Sequence, residues 1–103
     1  MPTKDYKTDL LERLSNSNYA ATYLKAALDE TLLDGNKEAF LLALQNVVEA
    51  KGSTQAIANE SKISRQHLYR ILRGDGNPTL ETLTSILQAV GLTIDFKPVS
   101  VEE

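Results

Sequence analysis

The chain has 103 residues, 42% of them hydrophobic and none of them cysteine, with a formal net charge of -3. That length fits one compact domain with a modest core, and without cysteine neither a disulfide framework nor a thiolate metal site can form. No apolar run approaches the roughly 20 residues that span a bilayer, and the first six residues, Met1-Pro2-Thr3-Lys4-Asp5-Tyr6, lack the apolar core of a signal peptide. The expectation is a cytoplasmic protein without a membrane partner.

Taken in chain order, the pattern is almost wholly helical. A first short helix is expected after Thr8, with Leu10, Leu11 and Leu14 on one side, fading in the polar run Ser15-Asn16-Ser17-Asn18. A second starts after a potential cap at Ser17, places Tyr19, Tyr23, Leu24, Ala27 and Leu28 on one face, and stops near Asp34-Gly35-Asn36. The third runs from about Lys37 to Gly52, with Asn36 as its expected cap and Phe40, Leu41, Leu44, Val47 and Val48 in register. Tyr19, Tyr23 and Phe40 read as packing between the second and third helices rather than as a binding site.

Two short helices follow, over residues 54–60 and 65–72, and then a longer one over residues 80–90 that carries Leu80, Leu83, Ile86, Leu87 and Val90 and that Thr79 is placed to cap. Residues 92–97, Leu-Thr-Ile-Asp-Phe-Lys, alternate apolar and polar, the period of a strand with one buried face. A lone strand needs a hydrogen-bonding partner. It either pairs with its copy in a dimer or lies as an ordered tail on the core through Ile94 and Phe96. The organisation expected is a single all-α unit of five to six helices with a short C-terminal β-strand: residues 1–50 as N-terminal helices, 51–91 as the functional part, and 92–103 as strand and tail serving dimerisation.

Charge is distributed unevenly along this order. Residues 1–50 hold five bases against eight acids, residues 51–76 hold five bases against two acids, and residues 77–103 hold one base against four acids. A basic segment between two acidic ones gives a polarised molecule with one phosphate-facing side.

Residues 54–73, Thr-Gln-Ala-Ile-Ala-Asn-Glu-Ser-Lys-Ile-Ser-Arg-Gln-His-Leu-Tyr-Arg-Ile-Leu-Arg, form the informative stretch. Ala58 is small where a second helix must come close, Ile63 plugs the turn, and Leu68 and Ile71 anchor the following helix. Arg65, Gln66, Tyr69, Arg70 and Arg73 are left outside. Arg pairs with guanine and Gln with adenine in the major groove, whereas Ser, Thr, Tyr and further Arg side chains bind phosphate. Arg65 and Gln66 are therefore the expected base readers, with Thr54, Gln55, Ser64, Arg70 and Arg73 positioning the backbone. Tyr69 and His67 complete the DNA-binding set. Thr54 and Gln55 also open a helix whose free N–H groups suit a phosphate.

These residues resemble the Xre-type helix-turn-helix family of phage repressors, in which Thr-Gln opens the first helix and Ser opens the recognition helix. The similarity continues through Asn77-Pro78-Thr79-Leu80-Glu81-Thr82-Leu83, like the family's loop and succeeding helix. One departure is Lys62, where that family usually has Gly because the turn tends toward positive φ. The whole chain is similar to the HigA-like branch, the addiction-module antidotes. The similarity rests on Tyr23-Leu24-Lys25-Ala26-Ala27-Leu28, an acidic turn, Phe40-Leu41-Leu42-Ala43-Leu44, Ala50-Lys51-Gly52 and Val90-Gly91-Leu92. This resemblance implies a phage-repressor-like fold and a type II antitoxin that dimerises on double-stranded operator DNA. It also implies autorepression of its operon and neutralisation of a small basic RelE/HigB-like toxin that cleaves RNA; the acidic residues 1–50 are complementary to such a partner and form the candidate toxin-contacting part, the alternative being that their carboxylates only solvate helix surfaces. A prophage-type repressor without a toxin is the alternative.

No enzyme is expected. The sole histidine, His67, falls on the predicted DNA face, no glycine-rich phosphate loop accompanies it, and the acids fall mostly on separate solvent faces. No second His or Cys completes a metal site. No cofactor is implied.

Overall fold

In a computed structural model, residues 5–99 are described and contain six helices and no strand. They are α1 Tyr6–Leu14, α2 Ser17–Asp34, α3 Glu38–Lys51, α4 Thr54–Ser61, α5 Arg65–Leu72 and α6 Leu80–Ala89. No helix among the described residues is long and apolar enough to cross a membrane.

Local capping chemistry sets most of these boundaries. Side-chain oxygens of Asp5, Asn16, Ser53, Ser64 and Thr79 accept backbone N–H groups three residues on, each satisfying a donor that the first helical turn leaves orphaned. The structure corrects one expected start and one expected cap. Asp5 starts α1 before Thr8, and Asn16, not Ser17, caps α2. At α3 the flanking residue is Lys37, with no side-chain cap, yet Asn36 Oδ1 accepts the Glu38 N–H at 2.9 Å from one position earlier. Gly35, at φ 75°, closes α2 in the left-handed conformation that other residues resist.

The core is organised around α3, which packs against α1, α2, α4 and α5, while α6 joins the body through α4. Leu44, Val47 and Val48 of α3 are fully covered, together with Leu14, Leu68, Ile71, Ile86 and Val90. The periodic positions expected to face inward on α3, α5 and the end of α6 do so, as helical spacing dictates. Leu80, at the exposed start of α6, does not.

On α2 the buried residues are Ala20 and Leu24, with Tyr23 and Ala27 half-covered. Tyr19 is 39% exposed. Its hydroxyl engages Arg13, which also pairs with Asp9 at 3.1 Å, and these contacts hold the guanidinium above its ordinary pKa. Tyr19 is thus a surface residue with a polar contact, not the core residue that its spacing suggested. Tyr23 does pack inward, where its hydroxyl accepts Asn46 Nδ2 at 3.0 Å. Lys51 Nζ, at the end of α3, donates to Ser15 O at 2.9 Å and Ser17 Oγ at 3.1 Å, tying the α1–α2 corner to the central helix.

The expected C-terminal strand is not formed. After Leu92, residues 93–99 have no regular structure, and Phe96 is 88% exposed, so neither the strand nor a tail seated on the core through Phe96 describes this segment. The alternation of apolar residues is real, but no neighbouring strand among the described residues supplies the ladder that would make it a strand. Residues 100–103 of the expected tail and 1–4 of the expected N-terminal part lie outside the described residues.

Candidate nucleic-acid interface

The helices α4 and α5 are joined by Lys62, Ile63 and Ser64, an arrangement consistent with a helix-turn-helix-like domain. The turn is built from backbone hydrogen bonds. Lys62 adopts φ 63° and ψ 37°, its N–H donates to Ala58 O and Asn59 O, and the Ile63 N–H donates to Ala58 O at 3.1 Å. This left-handed closure needs an apolar residue just beyond it, and half-buried Ile63 packs on the core there. Ala58, fully covered, allows the close approach of the neighbouring helix. The positive φ anticipated at Lys62 is therefore present, carried by a residue with a Cβ.

With Leu68, Ile71 and Leu72 buried, α5 turns the rest of its surface outward. Ser64 Oγ accepts the His67 N–H at 3.0 Å, which fixes the start of the helix and leaves the hydroxyl proton free to donate. Arg65, Gln66 and His67 occupy its exposed first turn, with Arg70 and Arg73 further along. Ser64, Gln66, His67, Tyr69, Arg70 and Arg73 line one open depression of about 380 Å³. None of these six is acidic. Arg73 Nε is 3.5 Å from Asp75 Oδ2, an exposed pair that moderates the charge at this end.

Arg65 lies beside the depression rather than in its lining. Its Nη2 donates to Tyr69 Oη at 3.4 Å, and its guanidinium carbon sits 5.4 Å from the Tyr69 ring centroid. The bond from Arg65, a second from Thr54, and the arginine's charge together lower the phenol's pKa. Thr54 at the start of α4 thereby joins the α5 face through Tyr69. Gln55 does not join it: its Nε2 donates to Asn59 Oδ1 at 2.9 Å along α4. Asn59 was missed in reading the sequence, although Gln and Asn four residues apart on a helix are a legible pair. Ser53, the actual cap of α4, was also missed because Thr54 beside it is an equally plausible cap by type.

This surface can donate hydrogen bonds from guanidinium, amide, imidazole and hydroxyl groups and present positive charge, with no acid in its lining and Asp75 paired to Arg73 at one end. Those are the requirements of a phosphate-bearing, base-edged ligand. Among the described residues, no group of three or more His, Cys, Asp or Glu is placed to hold a metal ion.

Comparison with known proteins places the chain in a family. The family model described as "Probable addiction module antidote protein" matches residues 4–98. A protein of Haemophilus influenzae, described only as an uncharacterized protein, is 36% identical over 89 residues, covering 86% of this chain and 84% of that protein. No solved structure matches the chain. The chain therefore belongs to the family of addiction-module antidote proteins, an antitoxin's family, with a toxin as the implied partner.

Proposed function

We propose that this antidote is a HigA-like antitoxin of the Xre type that reads operator DNA through α5, represses its own operon as a homodimer, and neutralises a RelE/HigB-like toxin. The observation that carries the DNA-reading part is the α5 face, where Gln66, Arg70 and Arg73 line a depression free of acids and Arg65 is held at its edge by Tyr69. Arg65 and Gln66 read base edges from the first turn, as recognition helices do. Ser64, Thr54, Tyr69, Arg70 and Arg73 hold the phosphates, with His67 alongside. Gln55 contributes only by releasing Asn59. Two copies on a palindromic site place one α5 in each half-site. The protein acts by binding and carries out no chemistry, in the cytoplasm where its operon lies. The family match favours this reading over a prophage-type repressor without a toxin.

Fluorescence anisotropy on the DNA upstream of its own gene and on a scrambled duplex, across a salt series, tests the proposal. Tight, salt-sensitive binding with a clear preference for the upstream DNA is expected. Equal, weak binding to both duplexes refutes DNA reading.

A further inference from the structure

We infer that the toxin docks on the second half of α2, residues 28–34, where exposed leucines anchor an apolar contact and carboxylates receive a cationic rim. This assignment rests on the antidote reading and locates the partner surface that the reading leaves open. Along α2 the fully buried side chains, Ala20 and Leu24, lie in the first half. In the second half Ala27 and Thr31 are half-buried, while Leu28, Leu32 and Leu33 stand outside, Leu32 at 74% and Leu33 at 87% exposure. Leu28 and Leu32 are four residues apart and share a flank, while Leu33, one position on, lies about 100° further round the helix on the side of Glu30.

The charges around these leucines identify the occupant. Asp34 stands in the last turn of α2, which contains no base, so its charge opposes the helix dipole. Lys25 is taken by Asp29 at 2.9 Å. Glu30 has no cationic partner among the described residues, and Asp34 accepts only the Asn36 N–H, at 2.9 Å. A second copy docking through the same patch would set Glu30 and Asp34 near their equivalents, like charge against like. A cationic protein removes that conflict, covers the leucines and compensates the helix end. Contacts of α2 within the fold are to α1 and α3, and the turn after it meets the α5–α6 loop, where Lys37 Nζ donates to Asn77 Oδ1 at 3.4 Å.

The experiment uses the full chain co-expressed with the tagged toxin of its module, comparing wild type, L32S/L33S and E30Q/D34N. Wild type is expected to co-elute with the toxin. The leucine variant should bind it at least tenfold more weakly with an unchanged circular-dichroism melt and unchanged DNA affinity, and the charge variant should bind with a flattened salt dependence. Wild-type toxin affinity in L32S/L33S overturns the docking surface, as does conversion of a dimer to a monomer by that variant, which makes the occupant a second copy. A wild-type chain that binds no toxin overturns the antidote reading and the surface with it. A wild-type chain that shows no DNA preference yet binds the toxin, with L32S/L33S binding it more weakly, refutes the DNA reading while supporting this one.

Discussion

Asn46, only 7% exposed, donates its Nδ2 proton to the Tyr23 hydroxyl at 3.0 Å, a polar link between α3 and α2 inside an otherwise apolar contact. A buried amide left without its acceptor keeps the full penalty of its lost hydration. Tyr23→Phe is therefore expected to destabilise the protein by about 1–3 kcal/mol, read as a lower urea midpoint at constant m. An unchanged midpoint would mean that solvent reaches Asn46 and the link holds nothing.

The turn at Lys62 stores a different kind of cost. Its φ of 63° places a side chain in the left-handed region, where Cβ crowds the backbone. Lys62→Gly relieves this crowding but frees the unfolded chain, so the net expected gain is about 0.5–1 kcal/mol. Thermal and urea unfolding check it. A loss of stability would show that the lysine side chain contributes more than its backbone strain costs.

Tyr69 offers a spectroscopic readout of the candidate interface. Its pKa is lowered chiefly by the hydrogen bond from Arg65, then by that from Thr54 and by the arginine's charge. An acid whose folded pKa is depressed adds stability above its unfolded pKa, and that contribution disappears as pH falls through the folded value. Phenolate absorbance, taken as wild type minus Tyr69→Phe, should rise at lower pH than for a free tyrosine, and Arg65→Ala should move the transition back up. Coincident transitions in the presence and absence of Arg65 would show that the two side chains part in solution.

On DNA, Arg65 and Arg73 should separate by role. Arg65→Ala is expected to cost about 1–3 kcal/mol on the preferred sequence and to relax specificity. Arg73→Ala, already shared with Asp75 at 3.5 Å, should weaken every sequence alike and reduce the salt slope by about one. Anisotropy titrations of both variants on matched and scrambled duplexes distinguish them, and identical losses on all sequences would remove the distinction.

Helix α5 was legible to the residue, Arg65–Leu72, because its information is local: Ser64 caps it and Leu68 and Ile71 mark its inner face. The same holds for Thr79 and the start of α6. The outward set on α5 could also be read from spacing, since burying Leu68 and Ile71 leaves Arg65, Gln66, Arg70 and Arg73 outside whatever surrounds the helix. The structure alone decided what depends on a second element. Tyr19 and Tyr23 have the same periodic claim on the core, yet α3 covers only Tyr23. Residues 92–97 alternate like a strand but have no neighbouring strand. Leu28, Leu32 and Leu33 stay exposed because no neighbouring helix covers the second half of α2. Caps and periodicity act within a turn or two, so sequence specifies them directly; coverage by another helix is a property of the assembled chain, and only tertiary packing determines which apolar residues receive it.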